Sequence, residues 1–229
     1  MKLAYVVDFD GTISRIDITS VLARRYAGAA AAEIGERYRR GEFGMKGWLL
    51  GMASHFSAGR EQMLSTAFEA AELKPGFASF VSSAHDSGSP VYIASDGFGF
   101  YMEPILEQYG CLSYIERIYG NRLIFEDDAA VTVETPHANP SCDRCGNCKA
   151  AHVVRLKDSG YRVVYIGNGF NDRYGASHAD MIFARAGDRL AQYCRAHEMA
   201  FTPFNDFNDI SGFVYPQPLS NPNDPLCDP

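Results

Sequence analysis

AYVVDFDGTIS, residues 4–14, is the stretch on which the reading of the fold turns. An apolar run ends in two aspartates one residue apart, Asp8 and Asp10, followed by Gly11 and Thr12. Residues 3–7 read as a short strand buried on both faces, because such strands lose the alternation of polar and apolar residues. One aspartate after a strand is most simply a helix N-cap. Two carboxylates this close repel unless a cation or a proton lies between them. Mg2+ suits that place, since it takes hard oxygen ligands and keeps waters. A carboxylate can also attack phosphorus and form an aspartyl-phosphate.

Working outward, PVYIAS (90–95) and YRVVYIG (161–167) are two more continuous apolar runs of strand length, and ADMIFAR (179–185) is a fourth. Helical spacing predicts helices in GFASFVSSAHDSG, FGFYMEPILEQYG, CKAAHVVRLKDSG and DRLAQYCRAH. IYGNRLIFEDDAAVTVETP alternates like short antiparallel strands, and MAFTPF reads as an edge strand. Buried strands alternating with helices specify an α/β fold, a Rossmann-like doubly wound parallel sheet. Ligands bind at the carboxyl ends of such strands. Here those ends read DFDGT, SDG and GNGFND, all polar and glycine-bearing. Between the first two strands, Ala- and Glu-rich segments with helical spacing form a small helical insertion. The expected organisation is a core of residues 1–15 and 76–215, a helical domain of residues 16–75, and an irregular Pro- and Asn-rich tail of residues 216–229.

The chain has 229 residues, 46% hydrophobic and 21% charged, with a formal net charge of -7. This acidity argues against a general binder of nucleic acid or an anionic membrane, which would want a basic face, while a local basic pocket for a phosphate-bearing small molecule is compatible with it. No run approaches the length of a membrane-spanning helix, and residues 3–7 are too short for a signal peptide. Six cysteines without export signals suggest reduced thiols or a metal. A cytoplasmic protein is expected.

DFDGT at residues 8–12 resembles the first motif of the haloacid dehalogenase superfamily. IAS (93–95) is similar to its second motif, Lys149 to its third, and IGNGFND (166–172) to its fourth, which normally reads GDGxxD. The matches run in order over most of the chain. The resemblance implies a Mg2+-dependent phosphatase with Asp8 as nucleophile and Asp10 as general acid and base. Ser95 would hydrogen-bond the phosphoryl group, and Lys149 would neutralise charge beside it. The implied Mg2+ ligands are Asp8, the Asp10 carbonyl, Asn168 and Asp172. Asn168 stands where the family usually has aspartate, which removes one negative charge from the ligand set. Taken singly, Ser95 also reads as a strand-end cap and Lys149 as a solvated helix charge; order and spacing favour the catalytic roles.

The helical insertion resembles the cap of the phosphoserine phosphatase-like group. CGNCK (145–149), NDRYGASHADMIFAR (171–185) and FTPFNDFNDI (201–210) are similar to the branch that includes the 2-hydroxy-3-keto-5-methylthiopentenyl-1-phosphate phosphatase of methionine salvage. The implied substrate is a small phosphorylated metabolite. Asp96 and Gly97 after the second motif, with Arg15 and Arg40 near the cap, are the expected substrate-binding residues. A phosphotransferase on the same scaffold and a non-catalytic binding protein are the alternatives. A homodimer is left open.

SCDRCGNCK places Cys142, Cys145 and Cys148 in a C-x2-C-x2-C run, with His137 five residues upstream. A Cys3His set of this kind suits structural Zn2+. Free thiols in a tight loop are the other reading, and an iron–sulfur site lacks a fourth ligand.

Overall fold

The structure, a computed structural model, describes residues 2–126, 131–142 and 144–210. The predicted tail at residues 216–229 lies outside the described residues. The chain opens with β1 (Lys2–Val7), followed by helices α1 (Ile18–Tyr26), α2 (Ala30–Arg39), α3 (Met45–Ala53) and α4 (Arg60–Ala70). Then come α5 (Phe77–Asp86), β2 (Val91–Phe98), α6 (Gly99–Gln108), β3 (Ile115–Phe125), β4 (Val131–Glu134) and α7 (Lys149–Asp158). The last elements are β5 (Tyr161–Gly167), α8 (Asp172–Ala176), β6 (Met181–Arg185), α9 (Arg189–Ala196) and β7 (Thr202–Phe204).

The strands form one seven-stranded sheet in the order β4-β3-β2-β1-β5-β6-β7. Every neighbouring pair is parallel except β3 and β4. The alternation in residues 118–136 is therefore half of the story. β3 pairs antiparallel with β4, and its first half also extends the main sheet parallel to β2.

β1 shows why continuous apolar runs mark this sheet. Successive side chains point to opposite faces. Val7 enters the core on the side of α1 to α6, whereas Ala4 and Val6 enter the core beneath α7 and α9. β5 divides in the same way, Val164 and Ile166 to one side and Val163 and Tyr165 to the other. Both faces are buried, so neither tolerates a polar residue.

The order of strands reverses at β1, with β2 on one side and β5 on the other. β1 and β5 end at Val7 and Gly167, while β2 runs past the expected end at Ser95 to Phe98, its pairing with β1 ending at Ile93; the crevice above these ends is where this topology places a ligand. The helices from α1 to α4 leave and return at adjacent points. Ser14 bridges Leu73, Arg15 N–H donates to the Glu72 carbonyl (2.8 Å), and Lys74 N–H donates to the Ile13 carbonyl (2.8 Å).

Candidate active site

Asp8 lies just beyond β1, and its N–H donates to the Ile166 carbonyl of β5 (2.9 Å), which carries the β1–β5 ladder one residue past β1. The chain then turns sharply. Gly11 has φ +80°, and a Cβ there would also collide with the Asn168 amide. Only glycine meets both demands. The turn presents the Thr12 hydroxyl to two acceptors, Asp8 Oδ2 (3.2 Å) and Asn168 Oδ1 (2.9 Å).

Lys149 opens α7, and its ammonium, 4% exposed, lies between Asp8 Oδ1 (2.7 Å) and Asp172 Oδ1 (2.5 Å). Burial alone would depress this ammonium, but Asp172 and Asp8 outweigh it and hold its pKa well above the usual value. Burial raises the Asp8 carboxyl, Asp172 adds to that, and Lys149 opposes both. Asp172 is fully committed. Its Oδ1 also accepts from the Tyr165 hydroxyl (2.7 Å), and its Oδ2 accepts from the N–H groups of Asn168 (2.9 Å) and Gly169 (2.7 Å).

Asp10 faces the helical segment. Its Oδ1 accepts from Ile18 N–H at the start of α1 (2.9 Å), and its Oδ2 accepts from Thr19 (2.9 Å) and Tyr101 (2.6 Å). Burial, with Asp17 adding, raises this carboxyl to about 7 despite those bonds. It is thus half-protonated near neutrality, the condition that suits a general acid and base. A Cβ on Gly97 would run into the Tyr101 hydroxyl and the Asp10 carboxylate, so glycine is required there too.

Asp8, Asp10, Ser95, Asp96, Gly97, Lys149, Asn168 and Asp172 all line one cavity of about 410 Å3, with Tyr38, Arg39, Trp48 and Arg189 among its other walls. Asp96 is engaged there, accepting from Asn147 N–H (3.0 Å) and the Asn171 amide (3.0 Å). Arg15 and Arg40 are not brought to the cavity. Arg15 sits on the ribbon where the helical segment joins the core and pairs with Glu72 (2.9 Å). Arg40 caps α2 and pairs with Glu42 (2.7 Å). The arginines that do line the cavity are Arg39, one residue earlier on the helix and so turned by about 100°, and Arg189.

Zinc finds no support. Among the described residues no three His, Cys, Asp or Glu side chains gather as a metal-holding group. The His137 ring packs edge-on against Tyr119 (5.2 Å) and His152 (5.6 Å), and none of Cys142, Cys145 and Cys148 forms a disulfide among the described residues. The loop has a different task, holding Lys149 at the site. Asn147 is its anchor, with its amide donating to the Ser95 carbonyl (2.9 Å) and the Tyr119 carbonyl (2.7 Å). Its Oδ1 is left to accept from His152 Nε2–H (2.7 Å). Burial, with His137 adding, lowers His152 to about 3, so the ring is neutral where it stacks on Tyr119 (3.8 Å).

Sequence reasoning missed Asn147, Tyr101, Thr19 and Asp188, whose Oδ2 accepts from the Asn168 amide (3.2 Å). Asn147 lies inside the quoted CGNCK, next to the cysteines that drew attention. Tyr101 and Thr19 carry no local signal, because they meet Asp10 only through the packing of α1 on α6.

The donors around Asp8 are hard oxygens. Asp8 Oδ2 and Asn168 Oδ1 both lie within reach of the Thr12 hydroxyl, and oxygens of this hard type are those that Mg2+ takes.

A family model described as haloacid dehalogenase-like hydrolase matches residues 5–177. The chain is 29% identical over 216 residues to a 2-hydroxy-3-keto-5-methylthiopentenyl-1-phosphate phosphatase of Bacillus cereus, covering 92% of this chain and 94% of that one. A substrate-bound phosphoserine phosphatase structure superposes with TM-score 0.70 at 18% identity, covering 94% of this chain and 99% of that one. A phospho-aspartyl intermediate analogue of phosphoserine phosphatase also gives 0.70, at 20% identity over 93% and 99%. Among the described residues no helix is long and apolar enough to cross a membrane.

Proposed function

The chain belongs to the haloacid dehalogenase-like hydrolase family, and we propose that it is a phosphatase of the phosphoserine phosphatase-like group that hydrolyses a small phosphorylated metabolite through an aspartyl-phosphate on Asp8. The observation that carries this is the pairing of roles in one cavity. Asp8 is held by the Lys149 ammonium, while Asp10 is raised to about 7.

In this reading an Asp8 carboxylate oxygen attacks phosphorus as the ester P–O bond breaks. Protonated Asp10 gives its proton to the leaving alkoxide. Asp10, now a carboxylate, takes a proton from water as that water's oxygen attacks phosphorus. The P–O bond to Asp8 breaks, and phosphate and the free carboxylate are released. Lys149 offsets the negative charge that two anions bring together, and the Ser95 hydroxyl donates to a phosphoryl oxygen. The residues that would hold Mg2+ are Asp8, the Asp10 carbonyl and Asn168, where it would supply positive charge to the phosphoryl group. Asp172, with both oxygens spent on protein donors, acts by positioning Lys149 and the loop after β5. Residues 16–75 act as a cap over the cavity, and the setting is cytoplasmic.

The test is a panel of phosphorylated metabolites with Mg2+, reading released phosphate. Asp8→Asn should lose turnover by orders of magnitude while keeping its fold. Retention of a substantial fraction of activity would exclude a covalent Asp8 intermediate.

A further inference from the structure

Beside the catalytic cavity lies a second one of about 260 Å3. Four arginines line it, Arg39, Arg144, Arg173 and Arg189, together with the aromatic rings of Tyr38 and Phe170. Among the described residues no aspartate or glutamate lines it. Tyr38, Arg39, Phe170 and Arg189 belong to both walls, so the two cavities are ends of one cleft. The catalytic end is lined by five aspartates, counting Asp17, and the far end by arginine alone among charged types.

The four arginines are not equally committed. Arg39 pairs with Glu36 (2.5 Å). Arg173 stacks on the Phe170 ring (3.7 Å) and the Tyr174 ring (3.9 Å) and donates to the Phe170 carbonyl (2.8 Å). Arg144 and Arg189 make no ion pair among the described residues. The backbone of Arg144 is nevertheless fixed. Its carbonyl accepts from Lys46 N–H (3.1 Å), and Gly44 packs so closely on it that any Cβ would collide. Its guanidinium therefore hangs from a set point on the seam between the cysteine-bearing loop and α3. In a chain of net charge -7, Arg144 and Arg189 are exposed and without an ion pair among the described residues, so both are open to an anion that enters the cleft. The planar guanidinium fork matches carboxylate and phosphate oxygens.

We propose that the substrate is a phosphomonoester carrying a second anionic group at its far end, and that Arg144 and Arg189 determine specificity by binding that group. This rests on the phosphatase reading above and names the substrate class within it. The shared ligand chemistry is a carboxylate or phosphate oxygen cluster, joined to the scissile phosphate by a short linker running past Tyr38 and Phe170.

The test uses three series of alkyl phosphates matched in chain length, ending in a hydroxyl, a carboxylate or a phosphonate. At some chain length an anionic ester should exceed its neutral counterpart about tenfold or more in kcat/KM, chiefly through KM, the scale of one charge-assisted contact. Whether carboxylate or phosphonate leads identifies the natural anion. Arg144→Ala should bring the anionic ester down to the neutral one measured in the same variant, and Arg144→Lys should recover part of the difference. Thermal melts of both variants check that they fold. Equal kcat/KM for neutral and anionic esters at every length would overturn the proposal. So would an anionic preference that survives both Arg144→Ala and Arg189→Ala. Binding of the same esters to Asp8→Asn needs no turnover and reads the arginine end by itself. Absence of phosphate release from all three series would count against the phosphatase reading, whereas equal affinities of neutral and anionic esters would count against this proposal.

Discussion

Asn168→Asp would restore the aspartate usual in the family, and the structure gives it a cost that residue type alone does not reveal. Asn168 Oδ1 accepts from Thr12, while its Nδ2 donates to Asp188 Oδ2 at 3.2 Å. A carboxylate keeps the first contact and turns the second into two anionic oxygens facing each other. Unit charges at that distance repel by about 5 kcal/mol at an effective dielectric near 20. Asp188 is 31% exposed in its side chain and shares Arg185 at 3.2 Å, so about 2 kcal/mol is the expected net loss. For a domain of this size that lowers Tm by roughly 4–8 °C without metal. With residue 168 as a ligand, Mg2+ relieves the repulsion and gains a charge. The variant should therefore be stabilised more by Mg2+ than the natural chain, and its half-saturating Mg2+ concentration for phosphate release should fall. The double substitution Asn168→Asp with Asp188→Asn should recover the metal-free Tm and keep the tighter Mg2+ binding. Thermal melts at mildly alkaline pH, with and without Mg2+, decide the matter. An unchanged metal-free Tm would refute the contact with Asp188, and equal Mg2+ stabilisation of both proteins would refute the ligand role.

Asp10, at about 7, should place a limb of the kcat/KM profile near neutrality. Asp17→Asn removes a charge that raises it and should move the limb to lower pH, whereas Tyr101→Phe removes a bond that lowers it and should move the limb up. Because its folded value lies above 3.8, Asp10 makes stability fall as pH rises from 3.8 to about 7 and level off beyond; Asp10→Asn should flatten that slope in urea unfolding. Lys149→Met leaves Asp8 and Asp172 buried without their cation, so about 3–5 kcal/mol of stability should be lost at neutral pH, and less at acid pH where the raised Asp8 carboxyl is protonated. Purified protein should hold no stoichiometric zinc, and a zinc-selective chelator added at constant Mg2+ should leave its Tm unchanged; metal analysis with matched melts checks both.

Much of this protein was legible in its sequence. Strands buried on both faces must be apolar throughout, so β1, β2 and β5 announced themselves as runs such as YVV and VVYI. Where an apolar strand breaks into polar residues and glycine, apolar packing gives way to chemistry, so DFDGT and GNGFND marked the sheet's carboxyl edge before any strand was paired, whereas SDG lies inside β2, which runs on to Phe98. What the sequence could not carry was distance across the fold. Asp10 rises to about 7 because α1, α6 and the first loop meet around it, and Tyr101 lies 91 residues away. Arg39 and Arg40 are equal candidates as letters, and the phase of α2 chooses between them. The cysteine spacing suggested metal, yet packing against Tyr119 and His152 made that loop a brace for Lys149, with Asn147 as its anchor. Local periodicity reports burial, which is a property of one segment. Hydrogen-bond partners, raised carboxyls and converging arginines are properties of several segments at once, and only tertiary structure brings those within a few ångströms.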